Sequence, residues 1–108
     1  MLFEIREYSE GTRAPFAEWF NELDGVTAAR VDRYVRRLES GNFGAAKVLG
    51  EGVSELRLDF GPGYRVYFGR DGKTLIILLG GGSKRRQDAD IAAAIARWKQ
   101  YQQAKKEK

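Results

Sequence analysis

The stretch from Ser54 to Leu79 constrains this chain more than any other part of it. Glu55, Arg57 and Asp59 alternate with Leu56, Leu58 and Phe60, the two-residue period of a half-buried strand. Gly61-Pro62-Gly63 supplies a turn, and Tyr64 to Phe68 read as a second strand that runs out at Gly69-Arg70. Asp71-Gly72 is a tight-hairpin signal, because glycine accepts the positive φ such a turn requires. Thr74 to Leu79 form a third strand, apolar enough to be central and covered on one face by helices. Strands joined so closely leave no room for a crossover and must run antiparallel.

Helical periods flank this meander. Phe3 and Ile5 alternate with Glu4 and Arg6, a short strand over residues 2–8. Phe16, Trp19, Phe20 and Leu23 then recur along one helical face behind Pro15, which suits a first turn. Asp24 caps a second helix, whose Val31, Tyr34, Val35 and Leu38 face inward and whose Arg30, Arg33, Arg36 and Arg37 form a solvated face. The two helices are expected to pack as an antiparallel hairpin. Residues 42–53, rich in Gly and Ala, read as a loop. A last helix over residues 87–103 packs through Ile91, Ile95 and Trp98, and residues 104–108 are polar enough to fray. The expected order is β-α-α-β-β-β-α in one α+β domain, residues 1–108, with the helices on one face of an antiparallel sheet.

Composition narrows the chemistry. The chain has 108 residues, no cysteine and no histidine. Disulfides, thiol nucleophiles, Ser-His triads and histidine-ligated zinc are thereby excluded, and no cofactor is implied. Any catalysis has to run on Arg, Lys, Tyr, Asp or Glu. No apolar run reaches membrane-spanning length, and Met1 to Arg6 lack a signal pattern, so a cytoplasmic domain is expected. Residues 1–50 hold 7 Lys+Arg against 8 Asp+Glu, and residues 51–108 hold 12 against 7. So basic a second half points to a polyanionic partner, nucleic acid foremost.

The cations fall in two groups. Arg57 and Arg65 sit on adjacent strands around the Gly61-Pro62-Gly63 turn, which brings them near each other. Two arginines held together repel, so an anion site is the favoured reading. The alternative is a salt-bridge ladder with Glu55 and Asp59. Lys84-Arg85-Arg86 follow Gly80-Gly81-Gly82 just ahead of a helix start, an arrangement able to hold one phosphate with N–H groups and side chains, or merely a solvated turn. The triplet is not a phosphate-binding P-loop, whose spacing is missing. Of Tyr64, Tyr67 and Phe68, one or two are free by alternation to stack a base, and Phe68 belongs to the core. Phe16, Trp19, Phe20 and Trp98 are also read as core.

The string from Glu55 to Phe68, followed by Leu75 to Gly82, Lys84, Gln87, Asp88 and Asp90-Ile91-Ala92, resembles RelE/HigB-type toxins, most closely the phage-derived addiction module killer branch of the RelE/ParE superfamily. The resemblance implies a type II toxin that cuts mRNA on the ribosome without a metal, driving 2′-OH attack on the adjacent phosphate. It also implies a cognate helix-turn-helix, HigA-like antitoxin as partner. Carried onto this chain, Arg65 stabilises charge on the phosphate and Arg57 orients it or assists the base. Lys84 or Arg85 neutralises the departing 5′-oxygen, while Lys47, Tyr64 and Arg86 bind RNA. Many relatives carry a Tyr or His near the last strand as general acid. Here Ser83, Gln87 and Asp88 stand in that region, and Tyr64 is the substitute at hand. Two other readings keep the same fold: a ParE-like gyrase poison, and an inactive regulatory partner of the antitoxin.

Overall fold

The computed structural model describes residues 2–107. The elements run β1 (Glu4–Glu7), α1 (Pro15–Asn21), α2 (Gly25–Glu39), β2 (Ala46–Gly50), β3 (Val53–Arg57), β4 (Arg65–Asp71) and β5 (Leu75–Gly82), then a single 3₁₀ turn (Lys84–Arg86) and α3 (Gln87–Lys106). The five strands form one sheet in the order β1-β5-β4-β3-β2. Strands β2 to β5 are the antiparallel meander, whereas β1 joins the far edge parallel to β5. The fold is α+β, as the sequence pattern requires.

Local signals set the helices where expected. The Asp24 side chain accepts from the Thr27 N–H at 2.7 Å and caps α2. Gly72 takes φ 70° in the β4–β5 turn. Besides the parallel pairing of β1, which departs from the expected antiparallel sheet because no tight turn links it to β5, packing departs from expectation in four places. First, helices cover both faces. Phe16 of α1 and Val31, Val35 and Leu38 of α2 pack on Leu56, Val66, Phe68, Ile76 and Leu78. Ala94 and Trp98 of α3 pack on Val53, Tyr67, Ile77 and Leu79 behind the sheet. A strand apolar at every position has two faces to bury, which is why β5 lies between layers.

Second, β2 occupies the expected loop 42–53; it is an edge strand whose Val48 is exposed, so it carries no apolar alternation of its own. Third, β5 runs on through all three glycines. They face bulky neighbours: a side chain at Gly81 would enter the Trp19 ring, and one at Gly82 would enter the Asp90 carboxylate. Fourth, Ala104 to Lys106 remain helical, because Lys105 Nζ donates to Asp71 at 2.7 Å; Lys108 lies outside the described residues.

Candidate functional site

The turn between β3 and β4 organises the basic residues. Arg57 and Arg65 are directly opposed across these strands, as their spacing predicts. The turn is tied to the following segment, since the Lys84 N–H donates to Pro62 O at 3.2 Å. A Cβ built on Gly63 would lie 3.2 Å from both Lys84 Cβ and Arg65 Nη1, so both residues approach the bare backbone of this glycine. The Tyr64 ring folds over Gly61, whose Cβ position is 2.6 Å from Tyr64 Cε2.

Beside this turn opens a cleft of about 350 Å³, lined by Arg57, Asp59, Tyr64 and Arg65 from the hairpin and by Tyr34 and Arg37 from α2. Arg57 is exposed and Tyr64 half-buried. Arg65 is only 5% exposed. Its Nε lies 3.1 Å from Glu55 Oε1, and its Nη1 donates to Gly63 O at 2.7 Å. The Nε–H is not aimed at the carboxylate, so the contact is an ion pair rather than a hydrogen bond. Gln87 Nε2 donates to the same Glu55 oxygen at 2.9 Å. The buried Glu55–Arg65 pair realises one rung of the salt-bridge ladder, while Arg57 and Asp59 stay at the cleft. Buried charges require such partners, since an unpaired one carries a heavy desolvation penalty.

The remaining basic residues lie around the cleft rather than in it. Lys84, Arg85 and Arg86 line a neighbouring groove of about 420 Å³ at the start of α3. All three are exposed. Their backbone is less available to an anion than the sequence pattern implies, because the Lys84 and Arg86 N–H groups already donate to Pro62 O and Ser83 O. Lys47 stands on β2 opposite Glu55. It is exposed at the sheet edge. Tyr67 is 1% exposed, and its hydroxyl finds no protein partner. Burial, and after it the Glu55 charge, push its pKa up, so it stays protonated beneath α3.

Three contributors to the cleft escaped the sequence reading, the first being Tyr34, assigned to the inward face of α2. Arg37 belongs to a helix face read as solvated, yet its guanidinium lies 4.5 Å over the Tyr34 ring. Asp59 was assigned only to the ladder; its carboxylate accepts from the Tyr34 hydroxyl, and this bond holds it below the usual carboxylate range. The signal available was the pairing of Tyr34 and Arg37 one helical turn apart, the i,i+3 spacing of residues that share a helix face. Among the described residues no group of three or more His, Cys, Asp or Glu is placed to hold a metal ion. No helix there is long and apolar enough to cross a membrane.

No protein-family model matches the chain. An uncharacterized protein of Haemophilus influenzae is 43% identical to it over 84 residues, which is 77% of this chain and 85% of the relative. Among solved structures, the free state of an E. coli toxin RelE variant, with two arginines replaced by alanine, superposes with a TM-score of 0.65 at 19% identity. That match covers 90% of this chain and 98% of RelE, so the two share a fold. By its similarity over most of both sequences, the chain belongs to the family of the Haemophilus influenzae protein.

Proposed function

We propose that this protein is the toxin of a type II toxin–antitoxin module and cleaves mRNA on the ribosome, without a metal, until a helix-turn-helix antitoxin of the HigA type neutralises it. The observation that carries the reading is the cleft where Arg57, Tyr64 and Arg65 meet, with Lys84 beside it, on the fold that E. coli toxin RelE also has. In the proposed reaction the 2′-oxygen of one nucleotide attacks the adjacent phosphorus. The P–O2′ bond forms, the P–O5′ bond breaks, and a cyclic phosphate and a 5′-hydroxyl result. Arg65 stabilises the charge that accumulates on the phosphate, and its pairing with Glu55 fixes it in place for that task. Arg57 orients the phosphate and assists removal of the 2′-proton. Lys84, with Arg85, neutralises the departing 5′-oxygen, while Lys47, Tyr64 and Arg86 hold the RNA.

Burial makes Arg65 a poor first variant, since its loss unpairs Glu55. Exposed Arg57 is the better probe. On induced expression in bacteria, growth should stop and new mRNA 5′ ends should appear inside translated frames. Arg57→Ala, soluble and folded, should lose both. Arrest without new ends would redirect the reading to a target such as gyrase, and absence of arrest from folded protein would leave a regulatory partner.

A further inference from the structure

Cleavage as described leaves one proton without a source. The 5′-oxygen departs as an alkoxide unless it is protonated while the bond breaks. A guanidinium or ammonium group, ionised far above neutral pH, is a poor donor for that step, so Lys84 and Arg85 supply charge there and not the proton. The chain has no histidine to supply it. The Tyr64 ring is turned toward Phe60 and toward Trp19 of α1. What remains is a carboxyl whose surroundings favour its protonated form.

One carboxyl stands where such a donor is needed. Arg65 on β4 and Gly82 on β5 are direct cross-strand partners. Arg65 lies on the α3 face, since Gly69, four residues along the same strand, meets the Trp98 ring. A Cβ built on Gly82 would enter the Asp90 carboxylate, so this carboxyl of α3 fills the side-chain place of Gly82. It thereby sits next to Arg65 in the row, on the residue that leads through Ser83 into Lys84. The Tyr67 hydroxyl, raised foremost by burial, feels Glu55, Asp90, Arg65 and Asp88 in turn, so these groups share one neighbourhood under α3. The nearby cations have their bonds elsewhere: Arg65 with Glu55 and Gly63 O, Arg97 with Leu79 O. Burial raises the Asp90 pKa against the opposing charges of Arg86 and Arg97. Glu18, Asp24, Asp59 and Asp71, each bonded to a donor, are lowered instead. Favouring the helix terminus does not explain a half-buried acid here, since exposed Asp88 already serves the first turn of α3.

We propose that Asp90 is the general acid of the reaction, passing its carboxyl proton to the departing 5′-oxygen beside Lys84. The inference rests on the RNA-cleaving reading above and completes its proton balance. As the P–O5′ bond breaks, the proton moves from Asp90 to the 5′-oxygen. The 2′-proton, removed with the help of Arg57, goes to solvent, and solvent reprotonates Asp90.

The test uses the full chain on mRNA-programmed ribosomes under single-turnover conditions, at a cut site mapped with the parent protein. Asp90→Asn keeps the shape of the side chain and has no acidic proton. It should cleave roughly a hundredfold more slowly, the loss expected of a general acid. A second RNA carries sulfur in place of the bridging 5′-oxygen at that site. A thiolate, whose thiol ionises at about pH 8.5, leaves without being protonated, so Asp90→Asn should cut this RNA at the parent's rate. A misplaced Arg65 or a damaged fold would slow both RNAs alike. Asp90→Asn cutting the ordinary RNA as fast as the parent, or slowed equally on the two, overturns the role of Asp90 and leaves the nuclease reading standing. A parent protein that cuts no translated RNA overturns both.

Discussion

Arg65 and Arg57 face each other across two strands and have opposite circumstances. Arg65 is buried against Glu55, whereas Arg57 is exposed at the cleft. Removing one partner of a buried pair leaves an uncompensated charge. Arg65→Ala should therefore cost about 3–5 kcal/mol in urea unfolding, and Glu55→Ala a similar amount. Arg57→Ala should stay within about 0.5 kcal/mol of the parent, as exposed substitutions do. Equal losses for Arg57→Ala and Arg65→Ala would refute this division of labour. Alternation along β3 and β4 placed the two arginines opposite each other correctly. It did not show that one of them is sealed, since burial depends on tertiary contacts such as that of Gln87, at the start of α3, with Glu55.

At the level of elements, the end of α3 is pinned by side chains in addition to the helix propensity of its Gln, Ala and Lys residues. Lys105 and the Tyr101 hydroxyl both donate to Asp71 beside the β4–β5 turn. The Lys105 ammonium first, and then the Tyr101 hydroxyl, hold Asp71 below the ordinary carboxylate range. Stabilisation from a lowered carboxyl is complete above its unfolded value and is lost as pH falls through the lower folded one. The amide protection factors over residues 101–106, which divide out the intrinsic pH dependence of exchange, should accordingly fall below the usual carboxylate range. Asp71→Asn should give the same loss of protection at neutral pH. The Lys105 contribution is about 0–1 kcal/mol, as for exposed pairs generally, so the global melting temperature should move little. If these protection factors proved flat with pH, the anchor would carry no weight. The glycines of β5 belong to the same scale. Gly81 exists without a side chain because the Trp19 ring of α1 occupies that space, a fact about α1 and β5 together.

For the molecule as a whole, the decisive contact joins the first strand to the last. β1 pairs with β5 in the register Glu4 to Leu75 through Glu7 to Leu78, and the Tyr8 N–H donates to Leu78 O at 2.9 Å. Without β1, the backbone of β5 would become an open apolar edge, the sort that recruits other strands. Deletion of residues 2–7 should therefore replace a single sharp thermal transition by a broad one and produce oligomers in size-exclusion chromatography. A deletion variant that remains monomeric and melts sharply would show that the meander and helices suffice.

The sequence by itself determined the parts whose cause is local. The alternation of β3, the glycine-bearing turns, the cap at Asp24 and the apolar faces of α1, α2 and α3 all follow from periodicity and backbone preference. It also placed Arg57, Arg65 and Tyr64 around one turn, because a short hairpin leaves little choice of neighbours, whereas Lys84 reached that turn only through its bond to Pro62. Tertiary structure alone decided the rest. An edge strand such as β2 takes its conformation from β3, a parallel partner such as β1 is fixed by no turn, and an apolar strand does not say how many layers will cover it. Tyr34, Arg37 and Asp59 likewise entered the cleft only when α2 was laid against the hairpin. Such contacts join residues far apart in the chain, and local conformational preference carries no information about them.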